Sequence, residues 1–442
     1  MAREPVEPAR GFMTLSGRTP GHYCKNTATT ARKHLPGRRG PAMQANVDTM
    51  PPSAAKIPQG KPKLVKMAAK LAYRNLFHDR LSLVVTLTGI VFSVVLVAVQ
   101  CGLYIGAERT IAVMLDQSKG DLWVVPLGTK SFDDPTLLIG HEKYAALSTP
   151  GVGDTEELVV GFANWRKPKG GITSVLLVGS DHENGTLKPW NIVQGSMADL
   201  DAPFSVAVDD TYFADLGVEK LGETAEINGT RVKIGAVTHG IRSFTTLPYV
   251  FISLKQARTL LDAAGNQASY TLVRMQPDAD MEAVRADLTA RLQDREVMTQ
   301  SEFRNRSVDY WLQQTGAGAA LIAGAALGMI VGVIIVAQTL YASTKDHLNE
   351  FATLRALGAS ARYIHKVILF QALMSALLGY GVGMVITMVV IWATQDIPTL
   401  IIVMTPGLAL LLFALTIGMC VLAGISAIAK VTRIDPAGVF SR

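Results

Sequence analysis

Four long apolar runs constrain this chain more than any other feature. They cover Leu81–Ile105, Gly316–Tyr341, Val367–Trp392 and about Leu400–Ala429, and none contains an Asp, Glu, Lys, Arg or His. Each exceeds the roughly 20 apolar residues that cross about 30 Å of hydrocarbon at about 1.5 Å per residue. A helix in the core of a soluble protein is shorter and keeps a polar stripe, which these runs lack. The 442-residue chain is 49% hydrophobic and 18% charged, whereas about a quarter of an ordinary soluble domain is charged. The sequence therefore predicts an α-helical membrane protein with four transmembrane helices in a 1+3 order. A large α+β extracytoplasmic domain is inserted between the first helix and the second.

Basic residues set the expected orientation, because Lys and Arg near span ends stay on the cytoplasmic side. Lys61, Lys63, Lys66, Lys70, Arg74 and Arg80 precede the first run; Lys345, Arg355, Arg362 and Lys366 lie between the second and third; Lys430, Arg433 and Arg442 follow the fourth. These three segments are placed in the cytoplasm, which leaves residues 106–315 outside. That segment holds 20 Lys and Arg against 28 Asp and Glu, a net of −8, and the rest of the chain carries +14. The expected segments are then 63–80 (an interfacial amphipathic helix), 81–105, 316–342, 366–393 and 400–429 (the four spans), 106–315 (the outer domain), 343–365 (a cytoplasmic helical loop) and 430–442 (a cytoplasmic C-terminus).

Residues 1–62 are rich in Pro, Gly, Arg and Thr and show no apolar period, which fits a disordered cytoplasmic tail. An over-called start, with translation beginning at Met43 or Met50, fits equally. From Lys63 to Arg80, Leu64, Met67, Ala68, Leu71, Ala72, Asn75 and Leu76 recur at helical spacing with lysines opposite them. The outer segment alternates short β-rich runs (Asp121–Leu127, Val159–Arg166, Thr173–Gly179, Phe204–Val208, Tyr249–Ser253, Tyr270–Gln276) with helical spacing at Leu254–Ala264 and Met281–Gln293. Asn228-Gly229 predicts a tight hairpin turn within Thr224–Gly240. The mixture predicts two subdomains, joined to the membrane by helical stalks at Gly106–Gln117 and Ser301–Gln314. Cys24, Cys101 and Cys420 all lie outside this domain, so it is not disulfide-stapled.

Several function classes lose support. Ion-coupled transporters place ionisable groups inside their spans, and these spans have none. The chain carries no GxxxxGK[ST] phosphate loop. His141-Glu142 lacks the second histidine of a zinc-protease helix, and Asp209-Asp210 suits a helix cap near Thr211 better than an acid–base pair. No residue is assigned a catalytic or metal-binding role. Gly324, Gly328 and Gly332 recur every four residues in the second run, and Gly379 and Gly383 repeat the spacing in the third. Such stripes allow helices to approach closely in lipid, either within one subunit or across a dimer seam.

The loop between the second and third runs is the remaining candidate. Leu348, Phe351, Leu354 and Leu357 recur at three, which predicts one apolar face, with Glu350 and Arg355 off it. Gly358 can take the left-handed conformation that ends a helix, and Ser360 can start the next. A short amphipathic helix held between two spans can pass displacement to both.

On these residues the chain resembles the MacB/FtsX-type ABC transporter permeases. Their cytoplasmic loop carries a pattern close to R-E-I-G-x-L-R-A-L-G-A-S, matched here by Glu350, Leu354, Arg355, Ala356, Leu357, Gly358, Ala359 and Ser360, with Asn349, Phe351 and Ala352 departing from it. Leu71–Ile90 is similar to the family's pre-span helix and first span, and Asp435, Pro436 and Ala437 match its C-terminal DPA ending. Gln100, Gly102 and Leu103 look most like the DevC-like branch. The resemblance implies a homodimer in the bacterial inner membrane, with a separate ABC ATPase subunit that binds ATP and Mg. It implies no cofactor on this chain, no enzyme activity of its own and no nucleic-acid partner. It further implies mechanotransmission to the periplasmic domain, for export with a membrane-fusion adaptor and an outer-membrane channel. An FtsX-like scaffold regulating a periplasmic hydrolase, or a lipoprotein-release permease, remains the alternative. Glu350, Leu354, Arg355, Ala356, Leu357 and Gly358 would form the ATPase-coupling site.

Overall fold

The computed structural model describes residues 61–137, 140–182, 185–395, 397 and 400–431. The expected tail and the DPA ending lie outside the described residues. Helix α1 (Lys61–His78) is followed at once by α2 (Arg80–Gln117). The break falls at Asp79, whose carboxylate accepts from the Ser82 N–H at 3.1 Å and so caps α2. With 38 residues, α2 is about 57 Å long, enough to cross a membrane and stand well clear of it.

The inserted domain follows as β1 (Leu122–Pro126), α3 (Glu142–Leu147), β2 (Val152–Arg166), β3 (Ile172–Ser180), β4 (Ile192–Gly195) and β5 (Ser205–Asp209). It continues with α4 (Phe213–Leu216), β6 (Thr224–Ile227), β7 (Thr230–Thr238), β8 (Tyr249–Ser253) and α5 (Leu254–Leu260). Then come β9 (Tyr270–Met275), α6 (Met281–Arg291), β10 (Arg295–Thr299) and α7 (Gln300–Asp309). The 15-residue strand β2 joins two subdomains. Its first half pairs antiparallel with β9, which continues to β1 and β10. Its second half pairs with β3, and the order β2-β3-β8-β5-β7-β6 returns to β2 through Trp165↔Ile227, closing a six-stranded barrel. Alternation along the strands sends Val159, Trp165, Val175, Leu177, Ile227, Val232 and Ile234 into the barrel interior. The β6–β7 turn has Asn228 at φ +48° and Gly229 at φ +83°, as the Asn-Gly pair predicts.

A second core lies where the barrel meets the stalk. Trp123, Phe132, Tyr270 and Phe303 pack edge-on, stacked or tilted at centroid separations of 5.4–6.2 Å, and Met114 and Leu115 of α2 are buried with them. The end of α2 is thus part of the domain's own core.

Three further membrane-length helices complete the chain: α8 (Ala317–Asp346), α10 (Ala361–Thr394) and α11 (Pro406–Val431), with the short α9 (Leu348–Ala356) between α8 and α10. Their 18-residue cores have mean hydropathies from 2.0 to 2.7, well above what a half-buried soluble helix shows. α2 packs on α8 and α10, and α11 closes the bundle against both. The return from the domain is not one continuous helix: α7 passes through a π-helical turn (Tyr310–Gln314) and Gly316 at φ +79° before α8 begins.

Several boundaries differ from expectation, for physical reasons. The strand expected at Val159–Arg166 starts at Val152, because Glu156 and Glu157 are buried with partners of their own. Glu156 accepts from Thr186, while Glu157 pairs with Arg258 at 3.2 Å and Lys143 at 3.6 Å. The helix expected at Leu254–Ala264 stops at Leu260, and Asp262 turns the chain at φ +52°. The second span runs on to Asp346, past the expected end at 342.

Candidate coupling site and its connection to the inserted domain

At the bundle end away from the domain, α9 lies against α1 and α10. Phe351 is buried among Ala68 and Ala72 of α1 and Ile364, Val367 and Ile368 of α10, and half-buried Leu354 packs on the same cluster. The small side chains at Ala68 and Ala72 let α1 approach this closely. Met67 of the expected apolar face is instead 64% exposed. The expectation that Leu348, Phe351, Leu354 and Leu357 share one face also needs correction, since Leu357 is 73% exposed. A step of three residues turns a helix about 300° rather than a full circle, so three such steps carry Leu357 half a turn away from Leu348. The gripping face is Phe351 and Leu354, with Leu348 half-buried beside it.

The helix stop follows the predicted chemistry. Gly358 has φ +96°, with the Leu357 N–H donating to Thr353 O (3.0 Å) and the Ala359 N–H donating to Leu354 O (2.9 Å). A left-handed glycine after the last turn satisfies carbonyls that would otherwise be orphaned. Ser360 occupies the N-cap position of α10, but by backbone conformation alone, without a side-chain hydrogen bond. Glu350 lies 3.2 Å from His347 Nδ1, with its carboxylate mostly exposed. Ala356 and Gly358 are exposed too, and Arg355 sits on α9 between Leu354 and Ala356. The segment thus grips the bundle with two apolar residues and leaves Glu350, Ala356, Leu357 and Gly358 toward solvent.

The two glycine stripes meet on α2 of the same chain. A methyl at Gly324 would lie 2.7 Å from Gln100 Nε2, one at Gly328 2.9 Å from Leu96 Cδ2, and one at Gly332 2.5 Å from both Ser93 Oγ and Met419 Sδ. The Ser93 hydroxyl donates to Gly328 O at 2.8 Å. From the other side, a methyl at Gly379 would overlap Ile90, and one at Gly383 would come within 2.8 Å of Val94. Gly102 and Gly106 of α2 complete the seam by receiving Ile402 and Ile401. Their spacing of four was legible as a further packing stripe, although Gly102 entered the sequence reading only through the DevC-like resemblance.

At the domain end, α2 and α7 are clamped together. The Arg304 guanidinium bridges Asp116 (2.9 Å) and Glu108 (3.2 Å), and the Gln300 amide donates to Leu115 O and Ser118 O. Sequence reasoning missed this clamp, because its partners lie almost 200 positions apart. The acidic residues considered earlier are structural. Asp209 caps a short turn by accepting from Thr211 N–H and hydroxyl (3.1 and 2.6 Å), and its other oxygen accepts from Thr238 and Ile241. Buried Glu142 accepts from Gly140 N–H and Arg295 Nε; burial pushes its carboxyl up, but these hydrogen bonds and the Arg295 charge outweigh it and hold the group below its usual range. Among the described residues no cluster of His, Cys, Asp and Glu is placed to hold a metal.

Fold and packing together define a multi-pass membrane protein that carries a large domain on one bundle end and a short gripping helix on the other. Residues 83–291 match the MacB-like periplasmic core domain and residues 322–436 match the FtsX-like permease C-terminal domain. An uncharacterized ABC transporter permease of Mycobacterium tuberculosis is 34% identical over 118 residues, which is 26% of this chain; the chain spans about a third (32%) of that relative's length. An uncharacterized ABC transporter permease of Mycobacterium bovis is 25% identical over 370 residues, covering 82% of this chain and 95% of the relative. The periplasmic region of MacB from Actinobacillus actinomycetemcomitans is similar at 14% identity and a TM-score of 0.34, over 42% of this chain and 92% of that one. The extracellular domain of the transporter YknZ from Gram-positive bacteria is similar at 14% identity and a TM-score of 0.31, over 41% of this chain and 99% of that one. With both family domains matched in order, the chain belongs to the MacB/FtsX-type ABC transporter permeases.

Proposed function

We propose that this chain is the permease subunit of an ABC transporter and transmits the motion of a separate ATPase to its inserted domain. The carrying observation is the construction of α9. Phe351 and Leu354 fix it to α1 and α10, while Glu350, Ala356, Leu357 and Gly358 are left for a partner. Displacement of α9 would then be carried by α10 and α1 into the bundle, and by the single length of α2 into the domain core.

In this reading the chain works as a homodimer in the bacterial inner membrane, with both termini in the cytoplasm and residues 106–315 in the periplasm. ATP and Mg are bound by the ATPase. The DevC-like features support export through a periplasmic adaptor and an outer-membrane channel. The test is reconstitution of the chain with its ATPase. Glu350→Ala combined with Arg355→Ala should remove the stimulation of ATP hydrolysis by the permease while leaving the bundle folded. Unchanged stimulation would overturn the coupling role of α9.

A further inference from the structure

The loop joining β7 to β8, His239–Pro248, is built firmly into the barrel. The Ile241 N–H donates to buried Asp209 (2.7 Å), the Ser243 N–H donates to Tyr212 Oη (3.0 Å), and the Ser243 and Thr245 hydroxyls lie 2.8 Å apart. Thr246 is held at φ +65°, a conformation that a β-branched residue takes only when its surroundings impose it. The loop therefore has a fixed shape.

Its tip leaves the barrel and rests on the bundle. The Arg242 guanidinium donates to Gln395 O, at the end of α10, over 2.7 Å, and the Phe244 ring meets Trp311 with centroids 5.4 Å apart. Beside Phe244 lies a half-open pocket of about 150 Å³ lined by Leu103 and Thr110 of α2, Leu321 of α8, Ile401, and the loop's own Ser243 and Phe244. The loop therefore does not fill the space between itself and the span ends. The stalk, by contrast, is held by a shared aromatic core and the two ion pairs of Arg304. One joint is welded; at the other, among the described residues, the loop is held by the exposed Arg242–Gln395 hydrogen bond and the Phe244–Trp311 ring contact beside an open pocket.

We infer that the His239–Pro248 loop is a releasable latch, which seats the barrel on the domain-side ends of the spans and lets go when those ends shift. α2 carries the whole domain, and the latch decides whether the barrel follows rigidly or swings on the stalk. The inference rests on the reading that the spans move the domain, but its test needs neither ATPase nor nucleotide.

The full chain, with Cys24, Cys101 and Cys420 replaced by serine, is spin-labelled at Lys169→Cys in the barrel and Ala319→Cys at the domain-side end of α8 in the bundle. It is diluted with unlabelled chain in lipid nanodiscs. The parent should give one narrow distance, and Arg242→Ala with Phe244→Ala should broaden it and shift it by several ångströms. Arg242→Lys, which keeps a cationic donor, should stay close to the parent. Hydrogen exchange at β5 and β7 reports whether the barrel stays folded. If the double variant loses that protection, Arg242→Ala alone, which leaves the ring pair, carries the same expectation at smaller amplitude. An unchanged distance distribution in a variant with a protected barrel overturns the latch, whatever the ATPase experiment shows.

Discussion

Asp133 is the residue whose placement has the clearest energetic consequence. It is buried; its Oδ1 accepts from the Tyr249 hydroxyl at 2.7 Å, while Oδ2 has no hydrogen-bond partner among the described residues. Burial pushes its carboxyl up to about 6, and the Tyr249 hydrogen bond offsets only part of that. An unfolded aspartate titrates near 3.9, so between about pH 4 and pH 6 the folded state binds more protons and stability falls as pH rises. Below about pH 4 both states are protonated and the cost vanishes; above about pH 6 it is complete, on the order of 3 kcal/mol. Asp133→Asn keeps the acceptor oxygen and removes the charge. It should stabilise the full chain at pH 7.5, with the gap closing toward pH 4, when denaturation in detergent is followed by tryptophan fluorescence. A gap that ignores pH would place the ionisation elsewhere.

At the scale of elements, the glycine seam makes a sharper distinction than composition can. Gly379 and Gly381 lie one turn apart at most on α10, yet a methyl at Gly379 would overlap Ile90 and one at Gly381 would meet nothing within 4 Å. Overpacking of a close helix contact costs about 1–3 kcal/mol. Gly379→Leu should therefore lower the resistance of the bundle to denaturing detergent, while Gly381→Ala should leave it within experimental scatter; equal effects would contradict the seam. The same elements show what the sequence reveals. The spans, the Asn228-Gly229 hairpin and strand β8 could be read directly, because apolar length, turn chemistry and β-rich runs are local signals. The first half of β2 could not, because Glu156 and Glu157 look solvent-facing until Thr186 and Arg258 meet them. Closure of the barrel by β6 on β2, about 60 residues away along the chain, leaves no local trace. On α9, the position of Glu350 off the apolar face and the left-handed stop at Gly358 were legible, whereas the face of Leu357 was misplaced by a spacing that drifts around the helix.

At the scale of the whole molecule, the chain has one rigid strut and one joint. α2 runs unbroken from Arg80 to Gln117 and ends inside the domain core, while the return path is broken by the Tyr310–Gln314 turn and Gly316. On the proposed function, movement imposed on α9 at one end should appear as movement of the inserted domain at the other. The central claim is tested by the distance between labels at Lys169→Cys in the two copies of the proposed homodimer, reconstituted with the ATPase and measured before and after ATP is added. The account predicts that the distance changes with ATP and that the change disappears when Glu350 and Arg355 are both replaced by alanine. A distance that stays fixed while ATP is hydrolysed and cargo is moved would contradict it.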